Sequence, residues 1–209
     1  MFADYAVSAL LTLFVVVDPI AMAPTFLVVT EGMPRASRQS VAVRASFIAG
    51  VILIGTALIG DRLLDILEIS LPAFRIAGGL LLFWIAAEMV FGVRSQHEGE
   101  AAEQALEERV RNVAAFPLAI PLLAGPGAIT ATLLLATRAS GNMVLTGILI
   151  AVVLVIALSC WITFITAERI SGLLGKTGNI VLSRLLGVLL AALAVQYVVD
   201  GIRSIFGAG

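Results

Sequence analysis

The chain has 209 residues, 60% hydrophobic and 13% charged, with a mean hydropathy of +1.09 and a formal net charge of −1. Soluble domains run at about 45–50% apolar and 25% charged residues, so this composition excludes an ordinary soluble domain and assigns the chain to the lipid bilayer. The near-neutral charge, with no run of Lys or Arg, also excludes a nucleic-acid partner.

Apolar runs of about 20 residues mark membrane-spanning helices. Six are expected, at 5–30, 41–60, 71–92, 114–137, 143–167 and 183–206. The first begins close to Met1, and Ala21-Met22-Ala23 has the small-residue pattern of a signal-peptidase site. However, Met1 to Asp4 supplies no basic residue, and Pro24 would follow the cut, so the span is read as retained.

Inside that first span lies Asp18-Pro19-Ile20-Ala21-Met22-Ala23-Pro24. A proline removes a backbone donor and clashes with the carbonyl four residues earlier, so Pro19 is expected to free the Val15 carbonyl and Pro24 that of Ile20. Irregular backbone at membrane depth survives only inside protein or along a wet cavity. An intramembrane carboxylate such as Asp18 marks a functional site by default. The plainer alternative is a kinked helix whose second half Asp18 caps.

Further along, Pro34 and Ser37 read as a turn and a helix start, and Asp61 to Glu68 as a short interfacial amphipathic piece. The third span contains Arg75, the pair Gly78-Gly79 and Glu88. Residues 94–113 form a polar linker with some helix, including Glu98, Glu100, Glu103, Glu107 and Glu108. His97 lies there and is read as solvated. Cys160 stands alone in an apolar run, so an intrachain disulfide and a cysteine-based metal site are both impossible. With no nucleophile–base set, the chain is not expected to be an enzyme, and no cofactor or metal is expected.

The linker separates two related halves, 1–93 and 114–209. Phe14, Pro19, Pro24 and Thr30 align with Phe116, Pro121, Pro126 and Thr132 at a constant offset. Arg75, Gly78, Leu80, Leu81, Val90 and Gly92 align likewise with Arg184, Gly187, Leu189, Leu190, Val199 and Gly201. A three-span unit has odd parity, so its second copy enters the membrane from the opposite side. The expected fold is therefore an all-α membrane protein of two inverted three-helix repeats, with helices 1 and 4 broken at P-x4-P. That is a layout of secondary transporters, whose sites lie near the midplane between the breaks. Nine Lys and Arg residues flank the first, third and fifth connections and four lie on the other side, which favours both termini outside.

The two breaks differ in charge, because Asp18 aligns with Ile120. A half-helix N-terminus suits a carboxylate, while Asp18 suits an ammonium group or a coupling cation, so together they suit a small zwitterion. The candidate substrate-binding residues are Asp18, Ala21, Met22, Ala23, Thr25, Ala124, Gly125, Gly127, Ala128 and Thr130. The small ones read equally as close helix packing. Glu88 is a candidate coupling acid or a snorkelling side chain paired with arginine. Arg75 and Arg184 read as structural ahead of substrate contact, and Trp161 as packing ahead of a pathway lining.

Three stretches, Val17-Asp-Pro-Ile-Ala-Met-Ala-Pro24, Ala73-Phe-Arg-Ile-Ala-Gly-Gly79 and Pro121-Leu-Leu-Ala-Gly-Pro-Gly-Ala-Ile129, resemble the MarC/SnatA-like inner-membrane proteins of bacteria and archaea. The resemblance covers almost all of the chain outside the linker. It implies secondary uptake of small neutral amino acids such as glycine and alanine across the cytoplasmic membrane, as a symporter coupled to protons or sodium. Ala21 departs from the glycine common in that family, which would narrow a pocket lined by this position. A passive channel or exporter of small metabolites is the alternative, and a non-transporting membrane protein acting by assembly is a third reading.

Overall fold

The computed structural model describes residues 2–93, 122–139 and 141–206. The linker at 94–113, with His97 and Arg94, and the opening of the fourth span, with Phe116, Ile120 and Pro121, lie outside the described residues. Among the described residues every regular element is a helix: α1 (Phe2–Val17), α2 (Met22–Val29), α3 (Arg35–Ile66), α4 (Leu71–Phe91), α5 (Pro126–Ala139), α6 (Met143–Ile165) and α7 (Ala167–Phe206). Four stretches are long and apolar enough to cross a membrane: Arg35–Gly60, Leu71–Phe91, Met143–Ile165 and Thr177–Phe206. A fifth is the pair α1 and α2, bent by 45° at its break.

The boundaries follow local chemistry. Ser70 caps α4 by accepting the Ala73 N–H at 3.4 Å, Pro72 sits in its first turn, and Gly92 ends it at φ 80°. Asn142 caps α6 by accepting from the N–H groups of Val144 and Leu145. Two expectations shift. Helix α3 begins at Arg35, directly after Pro34, and runs unbroken through Asp61 to Ile66, because nothing in that stretch is a helix breaker. In α7, Gly175 adopts φ 59° and ψ −179°, a non-helical conformation suited to glycine, and separates the Ala167 end from the span beginning at Thr177.

The core is built around α1 and α5. From Gly127 to Ala139 only Ile129 and Arg138 of α5 escape full burial. Helix α1 packs on α5, α6 and α7, and α5 on α1, α3 and α4. The most extensive contact is the antiparallel pair α4 and α7. Glycines make it close: a Cβ at Gly79 would lie 2.8 Å from the Ala194 carbonyl oxygen, one at Gly187 3.1 Å from that of Ala86, and one at Gly201 2.9 Å from that of Pro72. Helices in lipid gain by such close approach, since packing rather than the hydrophobic effect joins them. The outer faces of these helices carry Phe47, Trp84, Leu80 and Leu189, all exposed as lipid contacts require.

Candidate functional site

The first break starts where the chain runs out of donors. Asp18 N–H makes the last helical bond of α1, to the Phe14 carbonyl at 2.9 Å, and Pro19 then has no N–H to offer the Val15 carbonyl. Asp18 turns the chain with φ 48°, the left-handed region that Asp tolerates better than most side chains. Helix resumes at Met22, which puts Pro24 in the first turn of α2, where its missing N–H costs little. One expectation is corrected here: the Ile20 carbonyl is not freed by Pro24, because it accepts from the Ala23 N–H at 3.2 Å.

Asp18 is 1% exposed, within an otherwise apolar span. Its Oδ1 accepts the N–H of Ala21, the residue before α2, at 3.3 Å, whereas the helix itself has no side-chain cap. The carboxylate therefore stands at the N-terminus of α2.

Of the expected second break, Pro121 lies outside the described residues and the chain is described from Leu122 onward. Gly125 precedes α5, Pro126 takes its first position, and the Gly125 carbonyl accepts from the Ile129 N–H at 3.0 Å. The first-turn N–H groups of Gly127 and Ala128 are thus the donors that the helix itself does not use. The α1–α2 break and the start of α5 meet at the centre of the fold. A Cβ at Gly127 would lie 3.3 Å from Val16 Cγ1 and 2.6 Å from Ile85 Cδ1, and Val17 and Leu123 together line a void of about 10 Å³ with Ser46 and Cys160. All ten candidate binding residues are buried. Thr130 turns its methyl toward α4, where a Cβ at Gly78 would come within 2.9 Å of it.

Other candidates fall elsewhere. Glu88 accepts the Trp84 indole N–H at 2.9 Å, beside a ring that is 67% exposed. Arg184 reaches toward Gly92, near the end of α4. Trp161 lines an apolar groove of about 360 Å³ between α3 and α6, with Phe47 and Leu158, and so packs there and not at the breaks.

The structure also assembles polar residues that sequence reading left aside. Near the start of α1, Tyr5 donates its hydroxyl to the Leu135 carbonyl at 2.9 Å. Arg138 stacks its guanidinium 4.7 Å above the Tyr197 ring and pairs with Asp200 at 3.6 Å. Gln196 donates to the same Asp200 at 2.8 Å. The available signal was an acid, Asp200, inside the sixth apolar run, with Gln196 and Tyr197 on its face at helical spacing. At the opposite end of the bundle, Phe26 of α2 and Phe164 of α6 stack with centroids 4.5 Å apart.

A bent, proline-broken span with a buried carboxylate, enclosed by further apolar spans, defines a polytopic helical membrane protein with a polar centre. The chain belongs to the MarC family: the model described as "MarC family integral membrane protein" matches residues 3–206. It is 38% identical over 206 residues to the UPF0056 membrane protein MJ1677 of Methanocaldococcus jannaschii, covering 96% of this chain and 97% of that protein. It is 36% identical over 197 residues to the UPF0056 membrane protein YhcE of Escherichia coli, covering 93% and 90%. A UPF0056 membrane protein of Pyrococcus abyssi, PYRAB13050, is 36% identical over 195 residues, covering 93% and 92%. No solved structure matches.

Proposed function

We propose that the chain is a secondary active transporter of small neutral amino acids of the size of glycine and alanine. It works as a symporter driven by a proton or sodium gradient across the cytoplasmic membrane, with both termini outside. The observation that carries this reading is the buried Asp18 at the α1–α2 break. Such an acid costs free energy at membrane depth and marks a substrate or ion pathway by default, and its negative charge suits a cation, either the substrate ammonium or the coupling ion. The donors of Gly127 and Ala128 are the counterpart for the carboxylate, and Ala21, Ala23, Ala124 and Ala128 limit the ligand to a small side chain. Neither a cofactor nor an enzymatic step is invoked.

An inverted repeat of three spans belongs to the same proposal, and several relationships support it. The third and sixth spans, α4 and α7, pack antiparallel, as inverted equivalents must. Contacts of α1 with α6 and α7 have counterparts in those of α5 with α3 and α4. Thr30 and Thr132, matched by the internal alignment, each donate a hydroxyl to the carbonyl four residues earlier, at 2.7 Å in both cases.

The test is uptake into proteoliposomes under an imposed proton or sodium gradient. Uphill accumulation of glycine or alanine is expected. No uptake under either gradient removes the substrate assignment, and equilibration without accumulation favours the passive-channel reading.

A further inference from the structure

We infer that the cavity between α2, α3, the end of α6 and the start of α7, on the side of the bundle where α3 begins, binds an oxyanion, a carboxylate or a phosphate, carried on an apolar or aliphatic body. The cavity holds about 620 Å³. Its inner wall is the stacked pair Phe26 and Phe164, each 2% exposed, and its polar wall carries Arg35, Arg38 and Arg169 against one acid, Glu168. Three guanidinium groups facing one carboxylate leave an excess of two positive charges, and this excess attracts anions.

Arg38 makes the argument specific. Its Nη1 donates to Glu168 Oε1 at 2.8 Å, while its Nε is buried and has no hydrogen-bond partner among the described residues. A buried guanidinium donor without an acceptor is costly, and nearly all buried polar groups are paired. Guanidinium donors take carboxylate and phosphate oxygens through charge-assisted bonds, so an oxyanion is the ligand that completes this one. Leu27, Met33 and Ile165, apolar and more accessible than the stacked rings, accept the rest of the ligand. Two sources share this chemistry: a dissolved carboxylate or phosphate, and the headgroup of an anionic phospholipid. The inference is independent of the transport reading, because it is decided by binding and not by uptake.

The experiment uses the full chain in nanodiscs with Gln39→Cys, a position that lines the cavity, labelled by an uncharged maleimide. The buried Cys160 supplies the background rate, measured on the parent chain. In zwitterionic nanodiscs, acetate or inorganic phosphate is added; in a second arm, phosphatidylglycerol replaces part of the lipid. Protection in the first arm identifies a dissolved oxyanion, and protection only in the second identifies a headgroup. Either supports the inference provided that Arg38→Gln weakens it by about tenfold or more, the loss expected for a charge-assisted bond. Arg169→Gln, at an exposed wall position, is expected to weaken it too. Protection in neither arm, or protection indifferent to both substitutions, overturns the inference.

Discussion

Phe26 and Phe164 stack with their ring planes 10° apart and centroids 4.5 Å apart, between the arginine-lined cavity and the α1–α2 break. Phe26 follows Ala23 by three residues on α2, so the pair stands about one turn beyond the α1–α2 break. The stack is therefore the partition between that cavity and the buried centre.

Shortening one ring is expected to breach the partition. Phe26→Leu preserves apolar character and avoids the loss of about 3–5 kcal/mol that truncation to alanine brings in a core. A cysteine at Ala23, buried in the parent, should then react faster with a water-soluble thiol reagent than it does with Phe26 intact. Equal rates would mean that the stack is ordinary packing.

Asp18→Asn isolates the charge from the backbone. Asparagine tolerates φ 48° as well as aspartate does and still offers an oxygen to the Ala21 N–H, so the break is expected to persist. Coupled uptake should fall by tenfold or more, the equivalent of about 1.4 kcal/mol. Asp18→Ala adds a left-handed strain of about 1–2 kcal/mol and should lower the melting temperature as well. Uptake and its ion dependence measured in both variants separate the two effects, and unchanged coupling in Asp18→Asn would refute the assigned role.

What the sequence made legible was local. Pro19 lacks its N–H in any environment, an acid in an apolar run is costly in any membrane protein, and the break appears where both conditions coincide. Of the glycines aligned between the halves, Gly187 and Gly201 lie where a neighbouring backbone approaches, and Gly78 lies against the Thr130 and Leu134 side chains. Non-local relationships were not legible. Phe26 meets Phe164 only because α2 packs on α6, and Tyr5, Arg138 and Asp200 gather at one end only because α1 packs on both α5 and α7; no spacing along the chain encodes that. Gly175 lies in Ser171-Gly-Leu-Leu-Gly-Lys-Thr-Gly-Asn179, a Gly- and Asn-rich stretch between the expected spans that signals a turn without fixing which residue takes the positive φ.

The α4–α7 contact gives a stability prediction with an internal control. A methyl at Gly79 would meet Val198 Cγ2 at 2.7 Å and the Ala194 carbonyl oxygen at 2.8 Å, and backbone cannot step aside as a side chain can. Gly79→Ala is expected to cost about 1–3 kcal/mol by overpacking. Gly147, inside α6, has nothing within 4 Å of its Cβ position, so Gly147→Ala should stabilise by about 0.5–1 kcal/mol through helix propensity. Thermal unfolding of the detergent-solubilised chain compares them, and a Gly79→Ala chain as stable as the parent would show that the two helices can separate at no cost.

The Arg138–Asp200 pair should be worth less than its position near the bundle core suggests. Both side chains are 33% exposed, the closest approach is 3.6 Å, and Asp200 also accepts from Gln196 while Arg138 also rests on Tyr197. Partly exposed ion pairs contribute about 0.2–1 kcal/mol, and each partner here keeps a second interaction when the other is removed. A double-mutant cycle with Arg138→Gln and Asp200→Asn is therefore expected to give a coupling energy below about 1 kcal/mol. Arg138→Gln alone should cost more than Asp200→Asn alone, because it also removes the cation from the Tyr197 ring, an interaction of about 0.5–2 kcal/mol. Stability measured for the two single variants and the double variant checks both orders, and a coupling well above that limit would make the pair a main tie between α5 and α7.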